Sequence, residues 1–407
     1  MDPISTARSQ PFFDGPAPGQ AQRATIPADR GPGGICLRAA AGRLAQEQLR
    51  TQAWLSGLGL RERLLFDAGE DQNGPYGQFR LCPEWAARWA PGHDTLGLAE
   101  SLGLHTADRE RDLDIEILLS MLLSPVPFEL PSHDELVSAV RIRRRIVQAA
   151  RRTVLAFDTE QAERPPGCWT YAESTGFTLV SGHDLVYALR KATQPDVSGN
   201  LYSFSCYRAT EYVLLLALAQ ELRDSNPVLL RALQHQWETR AIMSGEFHEV
   251  FLHEYGSLRE PLPPRYYVPG DRLWFRNPDE ASANIEGYEG SWVFYLGDGR
   301  FSNFWKPDQH YTLTAKCLEI HHWRHGVRHT AEGRMWMDEN AVEGYVTQSA
   351  ADPTACAGIL TQMQRLRDPA GVYEHGGCVD ASREYIRCVR PGTCTVTLPA
   401  DPARRGS

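Results

Sequence analysis

Between residues 35 and 157 apolar positions recur at helical spacing. Leu44, Leu49, Trp54 and Leu58 mark one amphipathic stretch, and 113–123 is a second, more apolar one. In a third, 135–157, Leu136, Val140, Ile142, Ile146 and Val147 alternate with Arg141, Arg143, Arg144, Arg145, Arg151 and Arg152. The arginines read as a solvated helix face. Pro91-Gly92, Pro125, Pro127 and Pro131 separate these helices. Beyond Phe157 the period shortens. Residues 167–180 read as short strands, 183–192 as a short helix and 194–200 as a turn. An extended approach over 201–206 then feeds a helix over 206–223, and 229–243 is helical again. Strands are expected at 266–268, 272–275, 291–296 and 311–320. Residues 1–34, rich in Pro, Gly, Ser and Ala without apolar period, read as a disordered tail.

The chain has 407 residues, 42 % of them hydrophobic and 23 % charged, in the range of a globular protein. A net charge of -9 argues against general affinity for nucleic acid or an anionic membrane. Apolar runs are too short to span a bilayer, and 1–20 lacks a signal-peptide core. That leaves a bacterial cytoplasm or non-classical secretion as the expected location. Only Lys191, Lys306 and Lys316 are lysines among the 42 basic residues. A G+C-rich genome explains this. So does selection against lysine, in a protein delivered into a eukaryotic cell or in an enzyme that acylates lysines. The nine cysteines do not pair in zinc-ribbon spacing. Cys356, Cys378, Cys388 and Cys394 crowd the C-terminal quarter, as one or two disulfides or as buried thiols.

Cys206 opens a helix whose continuation, Val213-Leu214-Leu215-Leu216-Ala217-Leu218-Ala219, is apolar on every side. Such a helix is central and buried, and holds its first residue rigidly. The unpaired N–H groups and positive dipole at its start favour a thiolate, the nucleophilic form. The plain alternative is a small buried residue at a helix start. His321, His322, His325 and His329 read as a solvated loop rather than a metal site, because Gly326 interrupts the helical spacing. Gly297-Asp298-Gly299 is a hairpin signal, not a phosphate cradle.

Three blocks resemble the Bacillus-type spore-coat protein-glutamine gamma-glutamyltransferases over about 199–304: GNLYSFSCYRATEYVLLLALAQEL from Gly199, PGDRLWFRNP from Pro269 and GSWVFYLGDGRF from Gly290. The resemblance implies a papain-like core in which Cys206 takes an acyl group from a glutamine side chain. The thioester would pass to a lysine amine (crosslinking) or to water (deamidation). The resemblance also implies a glutamate where Ser205 stands, the catalytic glutamate at Ser291 and the histidine at Phe304. Glu289, two residues before Ser291, and His310, six past Phe304, are the nearest substitutes. Together with Cys206 they form the candidate catalytic set.

The expected architecture is α+β: a papain-like cysteine-nucleophile core with a helical N-terminal region. Its divisions are a tail at 1–34, the helical region at 35–157, the core at 158–345 and a Cys-containing extension at 346–407. The expected activity is acyl transfer on protein glutamine in a bacterial toxin or effector, with no cofactor, metal, nucleic acid or membrane. The competing expectation is a catalytically silent transglutaminase-like domain that binds a protein partner.

Overall fold

The computed structural model describes residues 33–39, 41–157, 162–306 and 308–399. The expected tail at 1–34 lies outside these residues except for its last two. Helices interspersed with mainly antiparallel strands make a mixed α/β molecule, as expected.

The 35–157 region contains the expected helices α1 (Ala41–Gly57), α2 (Glu110–Leu122) and α3 (His133–Arg152), the last capped by the Ser132 hydroxyl. It also contains a sheet that helical spacing did not anticipate. Strands β1 (Ile35–Leu37), β2 (Leu64–Asp71), β3 (Gly74–Leu81) and β4 (Phe128–Leu130) lie in the order β2-β3-β1-β4. β2 is exposed along most of its length, so no apolar alternation marks it in the sequence.

Helix α4 (Cys206–Ser225) begins where expected, with the Ser205 hydroxyl accepting from the Arg208 N–H. The Ser205 side chain therefore caps the helix. Val213 to Ala219 are all buried, and each leucine contributes about 1.5–3 kcal/mol through that burial. Helix α5 (Ser244–Phe251) leads into the second sheet. That sheet comprises β5 (Leu252–Tyr255), β6 (Arg272–Arg276), β7 (Gly290–Gly297), β8 (Arg300–Phe301), β9 (Tyr311–Thr312) and β10 (Arg383–Ile386). Its order is β9-β8-β7-β6-β10-β5, and every neighbouring pair is antiparallel.

The sheet divides two cores, and strand alternation decides which residue enters which. Phe294 and Leu296 of β7 join α3 and α4 in the larger core. Val293 and Tyr295, with Leu273 and Phe275 of β6, face the smaller core beneath α6 (Leu313–Gly326). Helices α7 (Glu339–Ala351) and α8 (Pro353–Met363) pack on the outside of α6.

Three local expectations are overturned. Residues 311–320 were expected as a strand, but only Tyr311–Thr312 is extended, and α6 follows, capped by Thr312. Its Leu313, Cys317 and Ile320 face the smaller core, so the residues that alternate like a strand also satisfy a helical stripe. The 266–268 segment is buried coil, with both Tyr267 backbone groups bonded to the Thr95 hydroxyl at 2.7 and 2.8 Å. The arginines of α3 are mostly bound rather than solvated. Arg143 is buried and meets Asp271 at 2.8 Å, while Arg141 and Arg145 meet the buried Glu221 of α4 at 2.8 and 3.0 Å. No disulfide joins the described cysteines, and the Cys317 and Cys378 sulfurs lie 3.7 Å apart. Among the described residues no helix is long and apolar enough to cross a membrane.

Candidate active site

Cys206 is a half-buried residue at the first position of α4, where the chain leaves a short extended segment (Ser203–Phe204). The backbone N–H groups of Tyr207 and of Trp292 in β7 act on its sulfur and favour the thiolate. The rings of the same two residues meet edge to face at 5.3 Å, and Trp292 stacks on Trp274 at 6.1 Å. The thiol thus lies at the seam between helix and sheet.

The chemistry of that thiol differs from the expectation for a helix N-terminus. Burial pushes its pKa up, and the two N–H donors and Lys316 only partly oppose this. Desolvation of a thiolate here outweighs the groups that favour it. The resting sulfur is therefore a neutral thiol at neutral pH and needs a proton acceptor when it attacks.

Two charged groups act on it. Glu289 lies in the turn before β7, and its negative charge opposes the thiolate. Its carbonyl accepts from the Asn277 N–H at 3.0 Å, and the Asn277 amide donates to Tyr288 O and the Ser282 hydroxyl, both at 2.9 Å. This knot, built from the Asn-Pro turn, fixes Glu289 at the head of the strand. Burial raises the carboxyl pKa of Glu289, making it a stronger proton acceptor than an ordinary glutamate. Lys316 is the other group. Its ammonium is buried on α6, 2.5 Å from Glu319 Oε2 and 3.5 Å from the centre of the Tyr311 ring. Sequence reasoning passed over Lys316, although its being one of only three lysines was visible.

His310 stands in the loop between β8 and β9. Its Nδ1 accepts from the Asn303 N–H at 3.4 Å, and the charges around it are Arg151, Arg300 and Asp308. Burial lowers its pKa, so it is neutral at pH 7. His310 is not among the leading influences on Cys206, whereas Glu289 is. Phe304 is buried against Phe294 at 6.4 Å. Ser291 shares its strand face with Val293 and Tyr295, the face of the smaller core.

The histidines read as a loop stand on α6, with His329 beyond its end. His322 Nδ1 faces His325 Nδ1 at 2.9 Å, and His322 Nε2 meets the Ser349 hydroxyl at 2.8 Å. Among the described residues no group of three or more His, Cys, Asp or Glu is arranged to hold a metal ion.

The sequence profile described as protein-glutamine gamma-glutamyltransferase matches residues 99–393, well over half of the chain. The chain belongs to that family. The match reaches far beyond the 199–304 blocks, taking in α2, α3 and the C-terminal strand β10. Transglutaminase sequence thus includes much of the helical N-terminal region. The transglutaminase from Geobacillus stearothermophilus (without C-terminal extension) is 19 % identical, covers 53 % of this chain and 98 % of its own, and superposes with a TM-score of 0.36. No curated protein sequence matches the chain.

Proposed function

We propose that the protein transfers the acyl group of a protein glutamine side chain through a thioester on Cys206. The observation that carries this is a cysteine seated at the start of the buried central helix, with two backbone N–H groups on its sulfur, in a chain of the transglutaminase family.

Glu289 takes the thiol proton as the sulfur bonds to the carboxamide carbon. The Lys316 ammonium stabilises the developing thiolate. Collapse of the tetrahedral adduct breaks the C–N bond, and the amide nitrogen leaves as ammonia after receiving the proton held by Glu289. A lysine amine then attacks the thioester and restores the thiol, giving an isopeptide; water in its place gives glutamate. His310 is the second candidate base and is tested beside Glu289. The scarcity of lysine supports an effector or toxin setting, since such a chain offers few sites for self-crosslinking or ubiquitination.

A silent, partner-binding domain is the competing reading. It is favoured by Ser205 acting as a helix cap, by Phe304 filling the core and by the raised thiol. The deciding experiment is intact-mass analysis of glutamine-containing proteins incubated with a primary amine and either wild type or Cys206→Ala. Amine incorporation or a deamidation shift seen only with wild type supports acyl transfer. No change across a broad substrate set refutes it in favour of the silent reading.

A further inference from the structure

The two rings beside the Cys206 sulfur enclose a buried cation. Arg272 projects from β6 on the face shared by Trp274 and Trp292, and its side chain is 1 % exposed. Its guanidinium carbon lies 4.0 Å from the centre of the Trp292 ring and 4.6 Å from that of Tyr207. Nε donates to the Thr210 hydroxyl at 2.8 Å, and that hydroxyl donates to the Tyr207 carbonyl at 2.7 Å. Nη1 meets Glu384 Oε2 of β10 at 2.5 Å, and Glu384 Oε1 meets His248 Nδ1 of α5 at 2.8 Å.

One side chain therefore ties together helix α4, strand β7 and strand β10 at the point where the first two meet the sulfur. A buried ion pair brings little net stability over an apolar replacement of the same volume. What this arrangement does supply is position. The rings touching the guanidinium belong to the same two residues whose backbone N–H groups favour the Cys206 thiolate. An arginine can be gripped between two rings while hydrogen-bonding at its edges; a lysine cannot.

We propose that Arg272, anchored by Thr210 and by the Glu384–His248 pair, is a positioning residue that holds the Tyr207 and Trp292 N–H groups on the Cys206 sulfur. The clamp acts through those two donors and does not touch the substrate. It rests on Cys206 being the nucleophile, but it is tested on the thiol itself, without any acyl transfer.

The test is the pH profile of Cys206 alkylation by iodoacetamide, read by peptide mass spectrometry with the half-buried Cys356 as internal reference. The midpoint of the profile is compared because it is independent of how freely the reagent enters. The charged groups acting directly on the sulfur are Glu289 and Lys316; those facing the Tyr207 and Arg272 side chains are Arg208, Glu211 and Glu384, with His248 on Glu384. None of these six is altered in the two variants used. Arg272→Lys keeps the charge beside Glu384 and removes the planar stack. Tyr207→Leu keeps the Arg272–Glu384 pair and removes one ring, so it serves if the first variant fails to fold. Each is expected to move the Cys206 midpoint upward by about one unit, roughly a tenfold loss of thiolate at a fixed pH below the midpoint. The Cys356 midpoint should stay in place. Variants that fold and keep the wild-type Cys206 midpoint would overturn the clamp and leave the stack as packing. A wild-type Cys206 that never reacts while Cys356 does would overturn both the clamp and the nucleophile.

Discussion

Glu116→Gln should stabilise the protein above pH 7 and change little near pH 5. Glu116 stands on α2 with no exposure, beneath the hairpin that joins β7 to β8. Its Oε1 accepts from the Asp298 N–H at 2.9 Å and the Tyr295 hydroxyl at 3.4 Å, while Oε2 has no hydrogen-bond partner among the described residues. Burial raises its pKa from 4.5 to about 7. The folded protein therefore holds this proton between about pH 4.5 and 7, where the unfolded chain has released it. Stability from this group is complete below about pH 4.5, falls as pH rises through the window, and is lost above about 7. The difference of 2.5 units at about 1.4 kcal/mol per unit makes the ionised carboxylate cost about 3 kcal/mol at pH 8. Glutamine keeps the oxygen that accepts from Asp298 and carries no charge, so it stands in for the protonated acid. Urea unfolding of wild type and variant at pH 5 and pH 8 measures the two gaps, and the comparison cancels every other titrating group. A gap that is the same at both pH values would refute the buried, proton-holding carboxyl.

Three further outcomes follow from other parts of the molecule. Lys316→Met removes a positive charge that lowers the Cys206 thiol, so the midpoint of Cys206 alkylation should rise; an unmoved midpoint would separate α6 from the site. Leu216→Ala, at the fully buried centre of α4, should cost about 2–5 kcal/mol in urea unfolding, and a cost below about 1 kcal/mol would contradict its placement. Burial and neighbouring charge lower His321 and His322 to about 4, so the neutral rings contribute stability that is lost as pH falls from about 6.5 towards 4. His322→Phe should flatten that part of a Tm-against-pH curve, and an unchanged slope would count against a neutral His322.

What could be read from the residues, and what could not, separates along the same physical line. Cys206 and the apolar run behind it were legible because they are consecutive in the chain and the helix period displays them together. The Asn-Pro turn was legible as a block, and it does place Glu289 at the head of β7. The proton and charge environment of the thiol was not legible, because it is assembled from segments far apart in sequence. Lys316 comes from α6, in a stretch whose alternation imitates a strand. Arg272 comes from β6 and Glu384 from β10, more than a hundred residues apart. A local rule, that a helix start lowers a thiol, gave the wrong sign because the burial that overrides it is a tertiary property. The arginines of α3 fail as a solvated face for the same reason: their partners Glu221 and Asp271 lie on other elements. A site of this kind is therefore better sought by asking which elements can reach the nucleophile than by looking for missing residues at fixed spacing. Here that question leads from Ser291, on a partly buried strand face, and Phe304, in the larger core, to Glu289, Lys316 and the Arg272 stack. Glu289 and Lys316 are the charged groups that act on the sulfur. Under the proposed acyl transfer, Glu289→Gln should lower the rate more than His310→Gln; the reverse order would make His310 the base.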